Sequence, residues 1–199
     1  MNSLTAFDQK VRHQGFKHLA GADESGRGAL AGPLVAAAVI LPEKTVIEGL
    51  QDCKKVTPKK REELFGKIVE TALAWNIVVV EAKEIDRRGL QKANVMALEK
   101  ALQGLDPKPD YILTDRYEAA SLKIPHLGVI KGDAVSASIA AASILAKVTR
   151  DKIMEKCGKL YPKYGFEVHK GYGTAAHLKA LKRWGPSKIH RKSFAHVKP

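Results

Sequence analysis

The chain has 199 residues, and its 34 Lys and Arg against 21 Asp and Glu give a net charge of +13. With 45% hydrophobic and 28% charged residues it has the composition of an ordinary globular protein, long enough to bury a core without disulfides as staples. The basic excess favours a polyanionic partner, of which nucleic acid is the usual kind.

Several protein classes are excluded at this level. Cys53 and Cys157 are far apart and form no Cys-x-x-Cys pair, so neither a zinc site nor a redox motif is predicted. The polar N-terminus lacks the apolar stretch of a signal peptide. The longest apolar run, 29–41, is interrupted by Gly32-Pro33 and is too short to span a bilayer. We therefore expect a cytoplasmic protein with two reduced cysteines.

Strands and helices alternate along the predicted chain. The first two strands, 16–24 and 34–41, are expected to pair as a hairpin across a glycine-rich loop. Thr57-Pro58 is typical of a helix start, and that helix is predicted to run to about Ala74. A strand at 76–82, a helix at 85–102, and strands at 111–114 and 127–130 follow. This order predicts an α/β fold with a mixed sheet.

The last third of the chain is predicted to be one long helix followed by a different kind of segment. Asp133 can cap that helix, and its small residues (AVSASIAAASILA) allow close packing against a sheet. The tail from Cys157 is rich in Lys, His, Tyr and Gly and contains a short helix at 175–183. We therefore expect a core at 1–156 and a C-terminal extension at 157–199 that packs on it.

The stretch Gly21-Ala22-Asp23-Glu24-Ser25-Gly26-Arg27-Gly28 is the most informative motif. It joins two adjacent carboxylates, which bind hard cations such as Mg²⁺, to a Gly-Arg-Gly loop. Glycines let backbone amides approach a ligand closely, and an arginine offers a planar fork for phosphate. Together these residues indicate phosphodiester chemistry, although the same stretch alone also suits a polar turn.

Two further acids share the position of Asp23 and Glu24 at strand ends. Asp115 ends a later strand, and Asp133 follows another. Ligands of open α/β sheets gather where strand ends and helix starts converge, so these four carboxylates are predicted to meet. Their mutual repulsion would be neutralised by two divalent cations, which is the composition of a two-metal phosphoryl-transfer site.

With these residues in view, the chain resembles ribonuclease HII, the type 2 ribonuclease H of bacteria. The matching stretches cover nearly the whole chain in the family's order; they are GADESGRGALAGPLVAAAVIL, DCKKVTPKKRE, EIDR, ILTD, KGDAVSASIAAASILAKVTRD, YPKYGFEVHKGYGT and HRKSF. The resemblance implies a ribonuclease-H-like mixed β-sheet flanked by helices, with a C-terminal helical extension.

The resemblance also implies the site and the reaction. The catalytic, metal-binding set would be Asp23, Glu24, Asp115 and Asp133, with Mg²⁺ or Mn²⁺ as the two ions. Gly26, Arg27 and Gly28 would sense the ribonucleotide, Tyr172 would stack on the sugar of the neighbouring deoxynucleotide, and Lys54 would contact a backbone phosphate. Lys147 and Arg150 on the long helix are further candidate phosphate contacts.

Members of the family act on RNA–DNA hybrids and on duplex DNA that contains ribonucleotides. They hydrolyse the RNA strand and cut on the 5′ side of an embedded ribonucleotide, leaving a 3′-hydroxyl and a 5′-phosphate. The resemblance thus implies roles in removing ribonucleotides from DNA and in removing RNA primers. We expect a monomer with no membrane partner.

Three positions depart from the family's pattern. Cys53 stands where the family usually has serine, and a thiol is a weaker hydrogen-bonding group for a phosphate. Arg116, followed by Tyr117, stands where the family usually has glycine, which puts the local loop in question rather than Asp115 itself. Gly89 falls where the family often has asparagine, so a contact near the second predicted helix is expected to be missing.

Three alternatives stay open. Ribonuclease HIII has the same chemistry and ranks second, because 199 residues are expected to be too few for its extra N-terminal DNA-binding domain and the chain carries the embedded-ribonucleotide features. A metal-free ribonuclease would use two histidines and leave a cyclic phosphate, and sensitivity to a chelator would distinguish it. An RNA-binding module would interleave aromatic and basic residues on its strands, and few aromatics occur there. The available histidines are His13, His18, His126, His169, His177, His190 and His196.

Overall fold

The computed structural model describes residues 3–51, 53, 56–117 and 120–197. Across these residues five strands form one mixed sheet in the order β3-β2-β1-β4-β5. The strands are β1 Leu19–Ser25, β2 Leu34–Ile40, β3 Ala74–Val80, β4 Tyr111–Asp115 and β5 His126–Val129. The predicted hairpin is confirmed, since β1 and β2 pair antiparallel. Strands β4 and β5 run parallel to β1, so their carboxyl ends lie at the same edge of the sheet.

Helices cover both faces of the sheet. Their bounds are α1 Ser3–Arg12, α2 Pro58–Thr71, α3 Ala82–Arg88, α4 Leu90–Gln103, α5 Ala137–Leu160, α6 Phe166–His169 and α7 Ala175–Trp184. The odd-numbered side chains of β2 pack with α2 and α5, and the even-numbered ones pack with α3 and α4. All seven residues of β2 are buried, as expected of a strand covered on both faces.

Helix α5 lies directly against the central strand β1. Gly21 permits this approach, because a Cβ added there would stand 2.1 Å from the backbone carbonyl carbon of Ser138. The first turns of α5 carry alanines and serines, whose short side chains allow the helix to pack close to the strand. The prediction that this small-residue stretch packs closely on the sheet is therefore confirmed. Among the described helices, none is both long and apolar enough to cross a membrane.

Several boundaries differ from the sequence-based expectations. The helix that begins after the Thr57 cap ends at Thr71 instead of Ala74, because Ala74 already pairs in β3. The single helix predicted at 85–102 is two helices, α3 and α4, separated by Gly89 at φ 81°. Helix α1 was not predicted. The division proposed after residue 156 stays a prediction, and α5 continues across it to Leu160.

The predicted cap of α5 is wrong. The Ser136 side chain accepts a hydrogen bond from the backbone N–H of Ile139 at 3.3 Å and is the N-cap. Asp133 lies three residues earlier, in a short 3₁₀ turn at Gly132–Ala134. The Asp133 carboxylate therefore does not cap α5 and is available for another role.

The contact between β1 and α5 can be tested with two glycines. Replacing Gly21 with Ala should lower the free energy of unfolding by about 3 kcal/mol, because backbone atoms cannot move aside as a side chain can. Gly66 in α2 is the matched control, since a Cβ there meets nothing within 4 Å. Gly66→Ala should stabilise the protein by about 0.5–1 kcal/mol through helix propensity. Denaturant unfolding measures both, and an unaltered Gly21→Ala protein would contradict the packing.

Candidate active site

A cleft of about 390 Å³ opens where the carboxyl ends of β1 and β4 meet the turn after β5. Apart from Arg150, every predicted site residue that the structure describes lines this cleft. Lys54, the remaining one, lies outside the described residues. The lining residues are Asp23, Glu24, Ser25, Gly26, Arg27, Gly28, Cys53, Asp115, Asp133, Ser143, Lys147 and Tyr172.

The sheet topology explains why the four acids meet. Asp23 and Glu24 directly precede the last residue of β1, Ser25, and Asp115 ends the parallel strand β4. Asp133 follows β5 after a tight turn, in which Lys131 has a left-handed backbone. The backbone N–H of Gly132 donates to Asp115 Oδ1 at 2.9 Å, which holds the turn bearing Asp133 beside Asp115.

Burial and like charge both act on the first pair of acids. Asp23 is 7% exposed, and burial, followed by the charge of Glu24, holds the pKa of Asp23 well above its usual value. Burial raises the pKa of Glu24 to about 7, Arg27 opposes this rise, and Asp115 adds to it. A cation in the cleft would favour the charged form of both carboxylates.

The residues present fit divalent metal ions. Glu24 Oε2 is buried and has no hydrogen-bond partner, which leaves an oxygen available to a cation. All four acids offer oxygen ligands, the kind that Mg²⁺ and Mn²⁺ prefer. In the described part of the chain, no three His, Cys, Asp or Glu side chains are already grouped as metal ligands. Binding an ion would therefore draw the carboxylates closer together.

The glycine loop, defined here as residues 26–33, forms one wall of the cleft. Gly26 has φ 92°, in the left-handed region that glycine favours. Arg27 Nη2 donates to Gln91 Oε1 at 2.9 Å, and its guanidinium lies 5.0 Å from the Tyr117 ring centroid. A Cβ on Gly28 would meet nothing within 4 Å, so this side of the loop is open to a ligand.

The tyrosine loop, residues 170–174, forms the facing wall. The Tyr172 ring is 36% exposed and lies 5.2 Å from the guanidinium carbon of Arg150 and 6.0 Å from Lys147 Nζ. Lys147 lines the cleft and is paired with Asp151 at 2.8 Å. The prediction of a phosphate contact for Arg150 is wrong, because its side chain is fully buried and donates to backbone carbonyls.

Two buried histidines, His177 and His190, form a chain of hydrogen bonds that ends on the tyrosine loop. His177 Nδ1 lies 2.9 Å from the Tyr172 carbonyl, so this nitrogen carries the hydrogen. His177 Nε2 then accepts from His190 Nε2 at 3.0 Å, and His190 Nδ1 accepts from the Ser187 N–H at 2.9 Å. Burial and the neighbouring histidine lower the pKa of His190 to about 4, so the pair is neutral at pH 7.

This histidine pair bears on the metal-free alternative. His177 and His190 are 0% and 2% exposed, and both make hydrogen bonds within the protein. Neither lines the cleft. Their geometry is that of a support for the loop, and it offers no exposed acid and base to a substrate.

The structure shows the surroundings of two of the three positions that depart from the family's pattern, Cys53 and Arg116. Cys53 is buried at the edge of the cleft, and its Sγ lies 3.2 Å from Ser143 Oγ. The Ser143 hydroxyl favours the charged form of Asp23, so Cys53 contacts the carboxylate set through one side chain. Arg116 has φ 68°, a conformation that suits the glycine usual in the family.

Sequence reasoning missed four residues around the carboxylates. Ser143 lies on the small-residue face of α5, where serine was attributed to packing alone. Gln91 and Tyr117 hold Arg27, and Asn94 on α4 is fully buried next to Glu24. A polar residue within an apolar helical face, such as Asn94 among Ala93, Ala97 and Leu98, was the available signal.

Known proteins share both the sequence and the fold. The ribonuclease HII of Desulfitobacterium hafniense is 54% identical over 197 residues, which are 99% of this chain and 76% of that protein. The crystal structure of ribonuclease H2 from Pyrococcus horikoshii matches at a TM-score of 0.77 and 30% identity, covering 90% of this chain and 94% of that one.

A more distant solved structure shows the same fold. Bst-RNase HIII in complex with Mn²⁺ matches at a TM-score of 0.74 and 20% identity, covering 92% of this chain and 68% of that one. The sequence model of ribonuclease HII matches residues 20–197. The chain therefore belongs to the ribonuclease HII family and is an endonuclease that hydrolyses RNA in RNA–DNA hybrids.

Proposed function

We propose that this enzyme also cuts duplex DNA on the 5′ side of an embedded ribonucleotide, leaving a 3′-hydroxyl and a 5′-phosphate. The observation that carries the proposal is the single cleft that joins four carboxylates, the glycine loop and Tyr172. Such an activity would serve the removal of ribonucleotides from DNA and of RNA primers.

The four carboxylates are proposed as the metal-binding catalytic set. Asp23, Glu24, Asp115 and Asp133 would hold two ions, Mg²⁺ or Mn²⁺, and the Mn²⁺ in the structure of Bst-RNase HIII is consistent with this choice. Divalent cations would supply an activated water as nucleophile and offset the charge that develops on the leaving oxygen. Burial, followed by neighbouring like charge, raises the pKa values of Asp23 and Glu24, and a bound cation would favour the charged form of both.

The glycine loop is proposed to recognise the ribose. The 2′-hydroxyl is the local difference between RNA and DNA, and it is both a donor and an acceptor. A site built to hydrogen-bond a hydroxyl can reject the analogue that lacks it by about 10⁴–10⁵-fold. Gly26 and Gly28 both line the cleft, the backbone at Gly28 is open to a ligand because no side chain covers it, and Arg27 adds a donor for phosphate.

The tyrosine loop and the C-terminal extension are proposed to bind the nucleotide next to the ribonucleotide and the duplex around it. The exposed ring of Tyr172 would stack on the neighbouring deoxyribose. Residues 157–199 contain ten Lys and Arg against one acid, Glu167, which suits contact with two phosphate backbones. Lys54 remains a proposed phosphate contact.

The substrate assay tests the whole proposal. A labelled DNA duplex with one ribonucleotide should be cut on its 5′ side in Mg²⁺ or Mn²⁺, giving a 3′-hydroxyl, and EDTA should abolish cutting. The all-deoxy duplex is the matched control and should stay intact. Cutting that survives EDTA and leaves a cyclic phosphate would contradict the carboxylate site, and cutting of RNA–DNA hybrids alone would remove the embedded ribonucleotide as a substrate.

Replacing Asp23 with Asn should separate stability from activity. The raised pKa of Asp23 means that the folded state binds more protons than the unfolded state, so its contribution to stability is lost as pH rises through that pKa. In the metal-free protein at pH 8, Asp23→Asn should therefore raise the free energy of unfolding by roughly 1–2 kcal/mol while cleavage falls by at least about a hundredfold. The stabilisation should shrink at pH 5.

Asp86→Asn provides the matched control. The Asp86 carboxylate accepts from the backbone N–H of Lys192 at 2.9 Å and of Ser193 at 3.0 Å, away from the cleft. This variant should lose stability and keep its kcat. Thermal unfolding at pH 5 and 8 measures the stability of both variants, and cleavage assays at the same pH values measure their activity. Destabilisation of the metal-free protein by Asp23→Asn, or full activity after it, would refute the assignment.

A further inference from the structure

Two buried arginines lie behind the glycine loop. Arg150 on α5 and Arg191 after α7 are both 0% exposed and are the largest of the fully buried side chains. Within the described ranges, no carboxylate forms an ion pair with either guanidinium. Burial lowers the pKa of Arg150, and burial and the charge of Arg150 lower the pKa of Arg191 to about 9. Because arginine keeps its proton at neutral pH in proteins, both side chains are charged at pH 7. Burying two like charges is unfavourable, which calls for a compensating role.

Backbone carbonyls of the glycine loop and the tyrosine loop accept hydrogen bonds from these two guanidinium groups. Arg150 donates to Pro33 O at 2.9 Å, Ala31 O at 3.3 Å and Lys170 O at 2.9 Å. Arg191 donates to Gly32 O at 3.1 Å and Arg27 O at 2.9 Å. Four of the five acceptors belong to the glycine loop and the fifth to the tyrosine loop. Arg150 therefore bridges the two walls of the cleft.

The loops also touch each other directly. Gly171 O accepts from the N–H groups of Leu30 at 2.9 Å and Ala31 at 3.3 Å. A Cβ on Gly171 would stand 2.3 Å from Ala31 O, and a Cβ on Gly26 would stand 1.9 Å from Arg150 Nε. The guanidinium of Arg150 fills the space against Gly26 and supports the Tyr172 ring at 5.2 Å. Movement of either loop would break bonds to the same side chain.

We propose that Arg150 and Arg191 are positioning residues that hold the glycine loop and Tyr172 as one rigid unit. The proposal rests on the proposed function, in which the glycine loop reads the ribose and Tyr172 reads the next sugar. A fixed separation between these loops lets the enzyme recognise both nucleotides of a ribonucleotide–deoxyribonucleotide junction together. Arginine suits this task because its planar fork reaches carbonyls on several sides, whereas lysine offers its donors from one atom.

A double-mutant cycle tests whether Arg150 acts through Tyr172. Cleavage would be measured for Arg150→Lys, Arg191→Lys, Tyr172→Ala and the combinations with Tyr172→Ala, on a duplex with one ribonucleotide and on a long RNA–DNA hybrid. Each single change should lower the ratio of kcat/KM values, embedded ribonucleotide over hybrid, by roughly 10–100-fold. Once Tyr172 is absent, the Arg150 change should lower the ratio little further. If Arg150→Lys does not fold, Arg191→Lys is used in its place, because this variant keeps the three hydrogen bonds of Arg150.

Arg12→Lys is the matched control. Arg12 is 8% exposed and also donates to backbone carbonyls, including Leu41 O at 2.7 Å, but it does not line the cleft. This variant should lower the melting temperature and leave the kcat/KM ratio unchanged. Independent, multiplying losses from the Arg150 and Tyr172 changes, or an equal change of the ratio in Arg12→Lys, would overturn the positioning role.

Amide hydrogen exchange separates this proposal from the proposed function. If the wild-type enzyme cuts only RNA–DNA hybrids, the proposed function fails, yet coupling of the loops is still measurable. Arg150→Lys should then reduce protection of the amides in 26–32 and 170–174 together, while Arg12→Lys affects neither segment. Loss of protection in one loop without the other would overturn the inference.

Discussion

The burial of neighbouring carboxylates at one edge of the sheet is the constraint on which this structure depends. A central strand brings Asp23 and Glu24 there, and the parallel strand beside it brings Asp115. Burial and like charge raise the pKa values of Asp23 and Glu24, so ionising both carboxylates is unfavourable without a cation beside them. This arrangement costs stability and makes the same oxygens strong ligands for cations.

The rest of the scaffold keeps that cluster in place. Helix α5 lies close to β1 because Gly21 and the small residues of the helix permit it, and the same helix carries Ser143 toward Asp23 and Arg150 beneath the glycine loop. Strand β1 and helix α5 thus position Asp23, Glu24, the glycine loop and the arginine that contacts Tyr172. Precise placement of this kind is what discrimination by a single 2′-hydroxyl requires.

The sequence predicted most of this arrangement because much of it is local. The hairpin, the Thr57 cap and the strand-end acids follow from alternation, capping and the meeting of parallel strand ends. Features set by tertiary contact were not predictable. Arg150 has the sequence context of an exposed helical cation, and its burial depends on carbonyls from loops far away in the chain. The pairing of His177 with His190 likewise needs α7 to pack beside the last segment.

A pH titration of the side-chain carboxyl groups by ¹³C NMR, in the metal-free protein and again with saturating Mg²⁺, tests whether the carboxylate cluster is a metal site. We expect Glu24 to titrate at about 7 without metal and Asp23 well above its usual value, and we expect Mg²⁺ to lower both pKa values. Ordinary pKa values in the metal-free protein, or titration curves that Mg²⁺ leaves unchanged, would contradict the claim that these carboxylates have raised pKa values and bind metal.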